Sequence, residues 1–280
     1  MSRLFEALQA SAAENSSIAP AQELALVTEM FQAAEIKAQS IDDCRTLQVS
    51  PSPESRLVSL LDKQGLGAEK FRLLAVRLRQ IQQAKGLKRI LVTSTIAEEG
   101  KSVISANLAI TLARRQQQKV LLIEGDLRRP RLTPQFGLHG LTGLSESLAK
   151  DGGIGGSLCF LEEPHLWFIP AGRPPENPLE LMQSATLSDS LDPLCSRFDW
   201  VVIDSPPLLP LADTTVWSRH SDGIIMVARE GVTETKSLKR GLEALPKAKV
   251  LGVVLNGCAD VDHSNYYQRY APVPPQGMPR

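Results

Sequence analysis

What this chain lacks narrows the field first. Lys and Arg together number 31 and so do Asp and Glu, so the formal net charge is zero. General nucleic-acid binding needs a basic surplus, so no nucleic-acid partner is expected. No apolar run approaches the ~20 residues that cross a bilayer, so no direct membrane span is expected. The opening MSRLFEALQASAAENSS has no apolar stretch of the kind a secretory signal needs. The four cysteines (Cys44, Cys159, Cys195, Cys258) are scattered and form no CxxC pair. A zinc site or disulfide framework is therefore not expected, and a reducing cytoplasm is. The four histidines stand apart with no H-x-x-x-H pair for a metal. There is no HRD or DFG of a eukaryotic-type kinase and no G-x-S-x-G elbow. Tyrosine is scarce in a different way: the whole chain has three, Tyr266, Tyr267 and Tyr270, all near the C-terminus.

What is present reads as an ordinary globular composition, 42% hydrophobic and 22% charged over 280 residues. That is enough chain for a substantial core. The first fifty residues are rich in Ala, Gln, Glu and Ser; spacing of Leu24, Val27, Met30, Phe31 and Ala34 predicts an amphipathic helix over 21–38. A second short helix is expected over 1–9, and SPSPES at 50–55 reads as a linker. A helix over 68–84 carries Phe71, Leu74, Ala75, Leu78 and Ile81 on one face. From residue 88 onward, short apolar runs alternate with helical patterns. Strands are expected at 89–93, 119–124, 166–170, 200–204, 223–228 and 250–255, and helices at 103–116, 178–191 and 233–245. Continuous apolar strands separated by helices predict an α/β fold: a mostly parallel sheet with helices on both faces, plus a helical N-terminal extension. The glycine-rich stretch 152–156 reads as a flexible loop. The expected organisation is an extension at 1–54, a nucleotide-binding domain at 55–258 and a flexible tail at 259–280, where Pro272, Pro274, Pro275 and Pro279 crowd together.

Three strand ends carry chemistry. The first runs into Thr95-Ile96-Ala97-Glu98-Glu99-Gly100-Lys101-Ser102 and then a helix. This is a P-loop with Thr95 in place of its first glycine. Backbone N–H groups from Ala97 through Val103 are placed to cradle phosphates, Lys101 to reach the β- and γ-phosphates, and Ser102 to ligate Mg²⁺. The second strand ends in Glu124-Gly125-Asp126, with carboxylates at i and i+2 pointing the same way toward a ligand crevice. The third, Trp200-Val201-Val202-Ile203-Asp204, fits a Walker-B element whose acid holds Mg²⁺ or its waters. Together they predict a P-loop site for a Mg²⁺-nucleotide.

With those motifs in hand, residues 56–270 resemble the bacterial tyrosine kinases (BY-kinases) of exopolysaccharide and capsule loci, of the cytoplasmic CpsD/CapB-like kind, which are related to the MinD/ParA ATPases. Glu69 and Arg72 resemble the start of the family's E-x-x-R-x-x-R oligomerisation helix, though Ala75 replaces the third member and Arg79 lies on the same face. Glu124 and Asp126 match the Walker A′ pair, with Glu in place of the usual first Asp, and Glu98 stands where many members have Gly. Gly172-Arg173-Pro174-Pro175-Glu176-Asn177-Pro178 resembles a family loop, and Asn256 matches an Asn near the adenine. Tyr266, Tyr267 and Tyr270 fall where the family keeps its phosphate-accepting tyrosines.

The resemblance implies an ATP-dependent protein-tyrosine autokinase regulating polysaccharide polymerisation and export. Lys101 would stabilise the transferring phosphoryl group, Asp126 act as base and metal ligand, Asp204 hold Mg²⁺ and Glu124 assist. It also implies a ring-like homo-oligomer and a separate membrane activator of the chain-length-determinant type, placing the protein at the inner face of the cell membrane. The main alternative is a MinD/ParA-like ATPase acting in positioning or assembly. That class needs a second lysine in its loop, and the corresponding residue here is Ile96. A scaffold that binds nucleotide without turnover is the third reading.

Overall fold

The computed structural model describes residues 41, 44–115, 117–150, 153–209 and 211–258. The chain divides into two compact units, Met1–Asp43 and Cys44–Arg280. The helices expected at 1–9 and 21–38, and the tail with its three tyrosines, lie outside the described residues.

In the second unit the apolar runs become strands: β1 (Arg45–Leu47), β2 (Arg89–Ser94), β3 (Val120–Glu124), β4 (Cys159–Leu161), β5 (Leu166–Ile169), β6 (Trp200–Asp204), β7 (Gly223–Arg229) and β8 (Val250–Asn256). The helices are α1 (Val58–Leu61), α2 (Leu66–Lys85), α3 (Lys101–Ala113), α4 (Leu132–Gln135), α5 (Leu144–Ala149), α6 (Pro178–Met182), α7 (Ala185–Cys195), α8 (Asp213–Arg219) and α9 (Thr235–Ala244). One eight-stranded sheet has the order β1-β4-β5-β3-β6-β2-β7-β8. Every pairing is parallel except β4 with β5. β3 and β6 are buried along their whole length, as strands covered on both faces must be. β2, the P-loop strand, lies between β6 and β7, so its neighbour on one side is the Walker-B strand.

α3 is apolar almost all round and is buried from Ser102 to Ala113 except at Val103. Such a helix belongs inside a molecule. Its few polar groups are satisfied there: Asn107 donates to the carbonyls of Val103 (2.8 Å) and Arg56 (3.0 Å) and accepts from the Ser59 amide (2.7 Å). α2 covers it, burying Ala68, Ala75 and Leu78, with Phe71, Leu74 and Ile81 packed against the same core. The helix expected at 68–84 thus runs Leu66–Lys85, stopped by Gly86 in the left-handed region at φ 68.

Several elements differ from expectation. The sheet begins at Arg45, inside the segment read as extension, because Arg45–Leu47 pairs with β4. Neither strand is longer than three residues, too short for periodicity to register. The helix expected over 178–191 is two helices, broken at Gln183–Ser184 where Ser184 is extended (φ −62, ψ 147). The loop expected at 152–156 contains a 3₁₀ turn, Ile154–Ser157, anchored by buried Ile154 and Ser157.

Candidate active site

Three adjacent strands, β3, β6 and β2, bring their C-terminal ends together, as parallel sheets of this kind do where they bind ligands. Glu124 and Asp204 are directly opposite in the β3–β6 register. The P-loop follows β2, and α3 starts at Lys101.

Lys101 Nζ lies 2.9 Å from Asp126 Oδ2, and both side chains are almost fully buried. Burial works against the Lys101 charge, but Asp204 and Asp126 outweigh it and hold the ammonium above its ordinary pKa. Asp126 Oδ1 accepts the Arg129 amide at 3.1 Å. Asp204 is fully buried at the end of β6. Burial pushes its carboxyl up to about 6; Lys101 opposes this most, and the Ser102 hydroxyl pulls the same way. The Ser105 hydroxyl is 3.1 Å from Asp204 Oδ1 and shares its proton with the Lys101 carbonyl at 2.9 Å. Asp204 Oδ2 is buried with no hydrogen-bond partner among the described residues. An orphaned buried carboxylate oxygen needs an outside partner, and its position beside Ser102 suits a hydrated Mg²⁺. Among the described residues there is no cluster of three or more His, Cys, Asp or Glu that could hold a metal. The Asp204 carboxylate and the Ser102 hydroxyl are hard oxygen donors, the kind that Mg²⁺ takes beside waters and phosphate oxygens.

Glu124 has a different setting from Asp126, although both leave the same strand end. Its carboxylate accepts the amides of Leu132 (2.6 Å), Thr133 (3.1 Å) and Ala171 (3.0 Å) and the Thr133 hydroxyl (2.5 Å). It ties the start of α4 and the chain after β5 to β3. Between the two acids, Gly125 donates to the Asp204 carbonyl (2.8 Å) and accepts the Trp217 indole N–H (3.1 Å). A Cβ at Gly125 would sit 2.7 Å from both that carbonyl and the indole. Arg128 grips buried Asp213 with two bonds, Nε at 2.6 Å and Nη2 at 3.1 Å.

The P-loop itself is left-handed twice, at Glu98 (φ 67) and Gly100 (φ 95). A side chain at Gly100 would also strike Asn256, whose amide would lie 2.1 Å from the added Cβ. Asn256 donates to the Glu99 carbonyl at 2.9 Å, so this residue meets the loop itself. The Thr95 side chain, standing where a P-loop has glycine, is buried with its hydroxyl 3.9 Å from Met226 Sδ. The structure thus gathers Ala97–Val103, Asp126, Asp204 and Asn256 at one edge. Glu69 and Arg72 lie on α2, ion-paired to each other, and Arg72 also bonds the Lys63 carbonyl. Sequence reasoning missed Ser105, Asp213, Trp217, Arg229 and Thr233, because single polar residues in helices and turns carry no motif.

Residues 90–272 match the family model for the CobQ/CobB/MinD/ParA nucleotide-binding domain. Over 215 residues the chain is 32% identical to a Bacillus subtilis protein named tyrosine-protein kinase YwqD, covering 76% of this chain and 90% of that one. The kinase domain of the Escherichia coli tyrosine kinase ETK superposes with a TM-score of 0.67 at 25% identity, covering 73% of this chain and 82% of that one. The Pyrococcus furiosus cell-division ATPase MinD superposes less well, with a TM-score of 0.53 at 21% identity over 66% of this chain and 81% of that one, a likeness of fold alone.

Proposed function

The chain belongs to the bacterial tyrosine kinases built on the CobQ/CobB/MinD/ParA nucleotide-binding domain, and from that premise we propose that it transfers the γ-phosphate of Mg²⁺-ATP to Tyr266, Tyr267 and Tyr270 of a neighbouring copy. The observation that carries this is the meeting of Lys101, Asp126 and Asp204 at three adjacent strand ends, with Asp204 Oδ2 buried and unpaired.

The chemistry follows from the charges. A tyrosine hydroxyl has a pKa of about 10, so it needs a base to attack at neutral pH. Asp126 is that base: it takes the phenolic proton as the oxygen bonds to the γ-phosphorus, and ADP leaves. The Lys101 ammonium holds the Asp126 carboxylate in place until then and moves onto the phosphates as charge builds on them. Ser102 and Asp204 would hold Mg²⁺, which when bound neutralises the β- and γ-phosphate oxygens. Amides of Ala97–Val103 orient the phosphates, and Glu124 positions the strand end that carries Asp126. Asn256 fixes the loop from the base side.

The same reading makes the protein a regulator of exopolysaccharide or capsule assembly, working as a ring-like oligomer with a separate membrane activator at the inner face of the membrane. Kinship with named tyrosine kinases supports it. No helix among the described residues is long and apolar enough to cross a membrane. Next to Glu69 and Arg72, α2 exposes Leu73 and Val76, a surface suited to a second copy.

The test is incubation of the full chain with Mg²⁺-ATP and phosphotyrosine mapping by mass spectrometry, alone and with the neighbouring membrane protein. Label is expected on the tail tyrosines, and Lys101→Met should abolish it. No label in either condition sinks the reading.

A further inference from the structure

The turn after β7 reaches across to the P-loop and holds it. Glu99, in the middle of the loop, is completely buried. Its side chain therefore cannot meet a nucleotide. One carboxylate oxygen accepts the Ile96 amide at 2.9 Å, and the other accepts the Thr233 hydroxyl. Thr233 Oγ1 in turn accepts the Arg229 amide at 2.7 Å, so its single proton and one of its two lone pairs are committed. Arg229 Nη1 donates to the Glu98 carbonyl at 3.2 Å, and Asn256 Nδ2 to the Glu99 carbonyl at 2.9 Å. The Glu230 amide closes the frame on the Asn256 carbonyl at 2.9 Å.

This frame sets the direction of the loop amides. In a planar trans peptide the C=O and the following N–H point opposite ways. Tying the carbonyls of Glu98 and Glu99 to Arg229 and Asn256 therefore turns the N–H groups of Glu99 and Gly100 to the other side. The amides of Ala97, Glu98 and Gly100 have no acceptor among the described residues, and that of Glu99 closes only a loose turn toward the Ile96 carbonyl. Such a row of free donors is an anion cradle. The cradle needs a left-handed Glu98, a conformation that resists a side chain. Something must over-determine it, and the frame is what does so.

We infer that Thr233, acting through Glu99, is a positioning residue for the phosphate loop, holding the amides of residues 97–100 toward the nucleotide's phosphates against the left-handed strain at Glu98. The inference rests on the nucleotide-site reading above. It assigns the turn 229–234 a part in nucleotide affinity, although none of its residues need touch the ligand.

The experiment measures Mg²⁺-ATP affinity and nucleotide-free thermal stability of the full chain. The variants are Thr233→Val, Thr233→Ser, Glu98→Gly and the Thr233→Val/Glu98→Gly double. Loss of a hydrogen bond to a carboxylate is worth roughly tenfold in affinity. Thr233→Val should weaken binding by about that factor, while Thr233→Ser, which keeps the hydroxyl, should bind as wild type. Glu98→Gly removes the strain, so the double variant should recover most of the lost affinity. A merely structural Thr233 would give no such rescue. Wild-type binding with unchanged affinity in Thr233→Val, or a double variant no better than Thr233→Val, overturns the inference. If Thr233→Val does not fold, a Thr233→Ser variant that binds as weakly as a folded Glu99→Gln does the same. Absence of binding in the wild type overturns the nucleotide reading instead.

Discussion

Asp204 is the residue whose environment is most at odds with its charge. Its carboxyl is raised to about 6 in the folded chain, chiefly by burial, whereas in the unfolded chain it has an ordinary value. A raised acid contributes full stability below its unfolded pKa and loses that contribution as pH climbs through its folded one. The nucleotide-free protein should therefore lose stability between about pH 4 and pH 6, and Asp204→Asn should flatten that segment of the curve. Melting the two proteins across this range checks it. The same variant should lose Mg²⁺-dependent nucleotide binding, and in the wild type that binding should fade below about pH 6 as Asp204 takes up its proton. Stability and function thus pull this residue in opposite directions. Glu124 shows the reverse: one methylene longer than the Asp expected by family, it reaches three amides and a hydroxyl. The i, i+2 spacing predicted that both acids would face the ligand crevice, but β3 ends at Glu124 and Asp126 lies beyond it. Nor could that spacing reveal that one acid would be used up on backbone eight residues and more away in sequence.

At the scale of elements, α8 works as a backplate to the strand end of β3. Trp217 bonds the Gly125 carbonyl and Asp213 holds Arg128. Gly125→Ala would drive a methyl group into the Asp204 carbonyl and the indole ring. The cost should be about 2 kcal/mol of stability, as for other overpacked sites, and phosphotyrosine formation should fall further than stability does because Asp126 and Asp204 move together. Urea denaturation beside tail labelling reads both. None of α8 was legible in the sequence: its seven residues are too few for a helical stripe, and its partners are brought together only by the sheet order. The P-loop, β3 and β6 were legible because each joins a run of apolar residues to a charged terminus, a pattern set locally. β1 and β4 were not, since three residues of strand depend on a neighbour to define them. The split between α6 and α7 was hidden for a related reason, as apolar spacing continues across the extended Ser184.

At the scale of the whole molecule, the fold is shared with ATPases of the MinD kind, so fold alone does not decide what the site does. The kinase reading draws on the named relatives and on where tyrosine occurs in the sequence. Because the chain has three tyrosines in all, replacing Tyr266, Tyr267 and Tyr270 with Phe should remove every trace of autophosphorylation while Mg²⁺-ATP affinity stays within about twofold of wild type. Titration with a fluorescent nucleotide beside anti-phosphotyrosine blotting measures the two. The Lys101–Asp126 ion pair has a consequence for selectivity as well. At rest the phosphate cradle contains a built-in competitor, a carboxylate tethered within reach of the very cation an incoming anion wants. A tethered group competes at an effective concentration in the millimolar range or above. Free orthophosphate, meeting that competitor with a single small anion, gains little by displacing it. A nucleoside triphosphate, bringing several charged oxygens on one scaffold, would win the exchange, so under the proposed function the resting site would filter its anions by valency before any chemistry begins.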